Sequence, residues 1–146
     1  MLAFNKARAK FYPYNEVYLE APKKAINLSE GSPTRHQYVR LDSYVPNKEI
    51  VSRKYTQLSE VSEETAIRYL KELSDKYAPG TKIADVPSNI SGANAGIFKA
   101  NNGKVLDGQM ILEVPVQAKA VPKRVIDYAS LKGIKIRDTN NHIYNK

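Results

Sequence analysis

The chain has 146 residues, with 23 Lys and Arg against 15 Asp and Glu, for a formal charge of +8. An apolar fraction of 42% supports one folded domain over residues 1–146 with a real core, and the absence of cysteine excludes disulfides, thiolate metal sites and thiol chemistry. The positive field favours a polyanion or an acidic protein as partner, and no apolar run approaches the ~20 residues of a membrane span.

Residues 1–36 are rich in Lys, Pro and Asn and read as an irregular segment, with 17–19 and 25–28 as short strands. The opening lacks the apolar core of a secretory signal. Within it, Lys6, Arg8 and Lys10 precede Tyr12 and Tyr14. Such a run either follows a phosphate backbone and stacks bases, or is a solvated terminus. Ten tyrosines and no tryptophan imply many half-buried rings with a hydroxyl to satisfy.

From Gln37 to Tyr44 the chain alternates, with Val39, Leu41 and Ser43 on one face and Tyr38, Arg40, Asp42 and Tyr44 on the other. Val45-Pro46-Asn47-Lys48 signals a turn, and Glu49–Leu58 then completes a β-hairpin. Ser62 is a good N-cap for a helix over 63–77, with Glu63 and Glu64 in its first turn and Ala66, Leu70, Leu73 and Tyr77 on its apolar stripe. Ala78-Pro79-Gly80 ends it. A short strand over 81–86 and a long loop over 87–108, rich in Ser, Asn, Gly and Ala, follow. An apolar strand over 109–117, a second helix from Pro122 to Lys132 closed by Gly133, and a last strand over 134–137 complete the order. Strands mixed with helices in this order predict an α+β domain, a mixed β-sheet with an N-terminal hairpin and flanking helices.

The chemistry-bearing residues concentrate in the hairpin. Asp42 on one strand and Lys54 on the next supply a carboxylate for a hard cation and a compact positive charge for a phosphate. Ser52 and Gln57 add polar groups, and Arg35, Arg40 and Arg53 add cations for nucleic acid. Side chains alternate along a strand, so Asp42 meets Lys54 only if an odd connection or a bulge separates Tyr44 from Glu49. Glu113 interrupts an apolar strand, so it is either paired, functional or at a solvent-facing end. Metal-free ribonuclease chemistry is one alternative, centred on His36 and Arg40 with Arg35 and Tyr38, and a non-catalytic basic module that docks on an acidic partner is another.

The sequence RLDSY…EIVSRKYTQ, followed by a helix and an apolar strand, resembles the restriction-endonuclease-like nucleases. The resemblance implies that fold, Asp42 as first acid and metal ligand, Lys54 as the lysine, Gln57 as a following polar residue, and a divalent metal such as Mg²⁺. The chain departs from the pattern at Ser52, where the family has an acid, and Glu49, Glu64 and Glu113 are the candidates to replace it. LSEGSPTRHQYVRLDSY, EIVSRKYTQL, YAPGTKIADVP, GQMILEVPVQ and GIKIRDTNNHIY together resemble the C-terminal effector domains of bacterial polymorphic toxins of the contact-dependent-inhibition, Rhs and LXG types. That resemblance implies a toxin, monomeric when free, delivered as part of a larger secreted protein. It would act on nucleic acid in the cytoplasm of a competing cell and be held in check in the producer by a cognate acidic immunity protein.

Overall fold

The computed structural model describes residues 2–21, 38–90, 93–97 and 104–145. Alternating apolar residues on both sides of Pro46-Asn47 form β2 (Tyr38–Val45) and β3 (Lys48–Arg53), an antiparallel hairpin. Val45 pairs with Glu49, so three residues make the connection, with Asn47 at φ 64°. Asparagine tolerates that left-handed geometry better than most residues. The odd connection is the one that the pairing of Asp42 with Lys54 requires. Extending the register one step beyond Ser43–Val51 sets Asp42 opposite Ser52.

Residues 2–20 are more ordered than their composition implied. They form helix α1 (Leu2–Ala9) and strand β1 (Tyr14–Glu20), which pairs antiparallel with β2. After β3 the chain crosses through α2 (Glu63–Lys76) and the one-turn helix α3 (Pro87–Ile90) to β4 (Gly108–Val114). Helix α4 (Lys123–Leu131) then leads to β5 (Ile134–Asp138). β4 runs parallel to β3 and β5 parallel to β4, giving a five-stranded mixed sheet in the order β1-β2-β3-β4-β5. The domain is α+β, with helices flanking the sheet. The segment expected as a strand over 81–86 makes only single bridges, Leu19 to Ile83 and Lys82 to Val105. Gly108 opens β4 at φ +132°, where a Cβ would lie 2.6 Å from the Lys48 carbonyl carbon, so the parallel pairing of β3 and β4 starts at a position only glycine fits.

One face of the sheet is apolar. Ile50, Leu112, Val114, Ile134 and Ile136 meet Ala66, Leu70 and Leu73 of α2 and Val125 and Ala129 of α4 in one core. Ser62 caps α2 by accepting the Thr65 N–H at 3.0 Å, and Glu63 and Glu64 lie at the positive end of its dipole. The other face carries Arg53, Glu113 and Arg137, which the register aligns across β3, β4 and β5. Arg8 of α1 and Tyr12, just beyond it, reach this face.

The alternation expected for β2 does not hold along its whole length. Leu41 and Tyr44 both join the core, while Ser43 bonds Arg53. The break falls between the Asn15–Ser43 and Val17–Leu41 pairs, where Glu16 takes φ 51° and Asp42 stands on β2. A local backbone irregularity re-aims side chains on both sides of it.

Candidate functional site

Glu113 is the centre of the charged face. It is fully buried, as is the Arg53 guanidinium, which donates to its Oε1 at 2.6 Å. Arg8 donates to Oε2 at 3.2 Å and the Tyr12 hydroxyl to the same oxygen at 2.6 Å. Arg137 stands 4.0 Å from Oε2, donates to the Tyr12 hydroxyl at 2.9 Å and holds Glu49 through two bonds of 2.8 and 3.0 Å. Arg53 also donates to the Ser43 hydroxyl, which donates to Asn15, and its guanidinium lies 5.0 Å from the Tyr12 ring. Burial would raise the Glu113 pKa, but the bonds from Arg8, Tyr12 and Arg53 outweigh it and hold the carboxyl below its ordinary value. Burial and the bond to Glu113 push the Tyr12 hydroxyl the other way, above its ordinary value.

Asp42 is built differently. Its Oδ2 accepts the Arg53 backbone N–H at 2.7 Å, past the last ladder pair of β2 with β3. Burial raises its pKa, and the Arg53 N–H bond together with the charges of Arg53, Lys54 and Arg40 offsets that only in part. Asp42 opens onto a cavity of about 230 Å³ that also holds Asn5, Lys6, Glu16 and Arg40. Asn5 Oδ1 is buried there with no partner in the protein. Arg40 approaches Glu16 at 3.8 Å, an exposed pair that leaves the guanidinium accessible.

The expected site residues therefore divide. Asp42 and Arg40 share the cavity. Ser52 is buried beside Arg53, and the Lys54 charge acts on Asp42, but its ammonium lies 3.4 Å from Glu72 and 5.2 Å from the Tyr69 ring, both on α2. Glu113 belongs to the opposite face from Ser52 and Lys54, because β3 residues one apart alternate and Arg53 pairs with Glu113. Gln57 clamps two loops, donating to the Val116 carbonyl at 2.9 Å and accepting from the Ala118 N–H at 2.8 Å. Arg53, expected to contact nucleic acid, is only 2% exposed and is committed to Glu113 and Ser43. Arg35 and His36 lie outside the described residues.

The Mg²⁺ that the nuclease resemblance implies requires several oxygen donors in one shell. Among the described residues no three His, Asp or Glu side chains come together in that way. Glu49 is taken by Arg137, Glu113 by Arg8, Arg53 and Tyr12, and Glu64 lies beside Arg124. This donor set does not fit the cation. Sequence reasoning missed the convergence of Arg8, Tyr12, Glu49 and Arg137 on Glu113. The signal in reach is the basic and tyrosine-rich run at 6–14, whose Arg8 and Tyr12 cover the sheet instead of lying in solvent or along a phosphate backbone.

Comparison with known families, characterised proteins and solved structures finds no match to this chain. Among the described residues no helix is long and apolar enough to cross a membrane.

Proposed function

We propose that the chain is a nuclease toxin domain that cleaves phosphodiester bonds of nucleic acid, with Asp42 as its proton acceptor. The observation that carries this reading is one desolvated carboxylate, held by a single backbone N–H, beside Lys6 and Arg40 in an open cavity. A raised pKa makes a carboxylate a stronger base for a proton handed over by a nucleophile. Lys6 and Arg40 supply charge for the phosphate oxygens. The attacking hydroxyl, of water or of a ribose, passes its proton to Asp42 as its oxygen bonds phosphorus. The bond to the leaving oxygen breaks, and that oxygen takes a proton from solvent. Arg53 positions the base through its N–H rather than touching substrate.

The order of β2 with Asp42, β3, α2 and β4 is the order on which the restriction-endonuclease-like resemblance rests, and it supports that finer reading of the fold. Arg40, named for the metal-free ribonuclease alternative, belongs to the same cavity, so a ribose hydroxyl as nucleophile unites the two enzyme readings. A charge of +8 favours rapid capture by a small acidic immunity protein.

The test is incubation of the purified domain with DNA and with RNA, each with and without chelator. Cleavage that persists in chelator and disappears in Asp42→Asn, with the melt unchanged, is the expected result. Full activity in Asp42→Asn sinks the assignment. Harmless expression of the folded domain at high level, without a protecting partner, counts against the toxin.

A further inference from the structure

A second cavity, about 430 Å³, lies across the charged face, between the β2–β3 turn and the end of β5. Arg8, Arg137 and Lys48 line it, with Phe11 and Tyr12 on the α1 side and Thr139 on the β5 side. Neither Asp42 nor Arg40 belongs to it.

Three features of its wall point to an anion. Arg8, Arg53 and Arg137 share two carboxylates, Glu113 and Glu49, so the buried network carries one positive charge more than it neutralises. Lys48, exposed at the mouth, adds another. Arg8 Nε and Arg137 Nε are buried donors with no partner in the protein. Burying those two donors without an acceptor is costly, and an oxyanion bound by the guanidinium nitrogens that face the cavity offsets the surplus charge that comes with them. Arginine is also the side chain whose donor geometry suits phosphate oxygens. At the rim, Phe11 is 62% exposed, with the Arg8 and Lys10 cations 4.7 and 5.3 Å from its ring centroid. An exposed aromatic ring beside a cationic groove is the arrangement on which unpaired bases stack.

We propose that this cavity is a nucleotide subsite, with the phosphate received by Arg8, Arg137 and Lys48 and the base stacked on Phe11. The proposal rests on nucleic acid being the substrate class, as above, but not on cleavage at Asp42. It gives the domain a second grip on a nucleic-acid strand, outside the Asp42 cavity.

Calorimetric titration tests it with four probes: inorganic phosphate, a nucleoside 5′-monophosphate, the unphosphorylated nucleoside, and a short single-stranded oligonucleotide that resists cleavage. The expected order is that the monophosphate binds at least about tenfold more tightly than the nucleoside. Lys48→Glu, a surface change that should leave the thermal melt in place, should weaken the monophosphate about tenfold. Phe11→Ala should weaken the monophosphate severalfold and leave inorganic phosphate unchanged. Tighter binding of the oligonucleotide than of the monophosphate supports a strand as the natural ligand, and equal binding supports a free nucleotide. Nucleoside binding equal to monophosphate binding, or a Lys48→Glu chain with unaltered affinity, overturns the subsite. Nucleotide binding by a domain that degrades neither DNA nor RNA supports the subsite and overturns the nuclease reading alone.

Discussion

Glu113 on β4 and Asp42 on β2 are both carboxylates withdrawn from water, one on each side of β3, and their surroundings treat them in opposite ways. Glu113 receives three side-chain donors from Arg8, Tyr12 and Arg53, and its pKa is held down in spite of full burial. Asp42 receives one backbone N–H, and burial drives its pKa up. The number of donors aimed at the ionised form, rather than depth alone, decides the direction. Glu113 is thereby locked in as a structural counter-ion that ties α1, β3 and β4 together. Asp42 keeps unused lone pairs and an open cavity, which is what a group that exchanges protons needs.

The largest expected effect breaks the locked side. Glu113→Ala removes the charge that balances buried Arg53 and should destabilise the domain by about 3–5 kcal/mol, read in a urea melt. A loss under about 1 kcal/mol would mean that Glu113 does not hold the sheet to α1. Leu70→Ala calibrates this against the apolar face. It removes a fully buried side chain of α2 and should cost about 2–5 kcal/mol through the cavity it leaves. Asp42→Asn should change stability by no more than about 1 kcal/mol, because the amide oxygen still accepts the Arg53 N–H, and yet abolish cleavage.

A pH series sharpens the contrast further, since the two acids have opposite linkage. Glu113 has a folded-state pKa below its unfolded value. Its contribution is therefore complete above the unfolded value, near ~4.3, and is lost as pH falls through the lower folded value. Asp42 has a folded-state pKa above its unfolded value of ~3.9, so the folded state holds its proton longer. The stability from that proton is complete below the unfolded value and is lost as pH rises through the folded value. Urea melts across the acid range should show Asp42→Asn removing a loss of stability on the rising limb. Glu113→Gln should remove a loss on the falling limb. The same sign in both variants would erase the distinction between the two sites.

Much of the frame was legible from sequence because it rests on local rules. The Ser62 cap, the 3.6-residue stripe of α2, the Pro46-Asn47 turn and Pro122 at the start of α4 each report nearby structure. The three-residue hairpin connection has the odd length expected from the sequence, although Asp42 opens onto its cavity while Lys54 reaches Glu72 of α2. The face assignment in β2 failed at Asp42 because alternation assumes regular backbone, and the irregularity at Glu16 lies on the partner strand. The site was harder to read. Arg8 and Tyr12 lie 105 and 101 residues from Glu113, and no periodicity reports a contact over that separation. Lys54 looked like a phosphate-facing lysine because Glu72, the acid beside it, is contributed by α2 rather than by the hairpin.

The most direct measurement is a carboxyl-carbon NMR titration that resolves the Asp42 and Glu113 side chains in the folded domain, with Asp42→Asn and Glu113→Gln used for assignment. Asp42 titrating above the ordinary aspartate value and Glu113 below the ordinary glutamate value is the predicted result. Glu113 titrating above its ordinary value while Asp42 titrates below would contradict it, and would move the proposed proton acceptor from the β2 cavity to the arginine cluster.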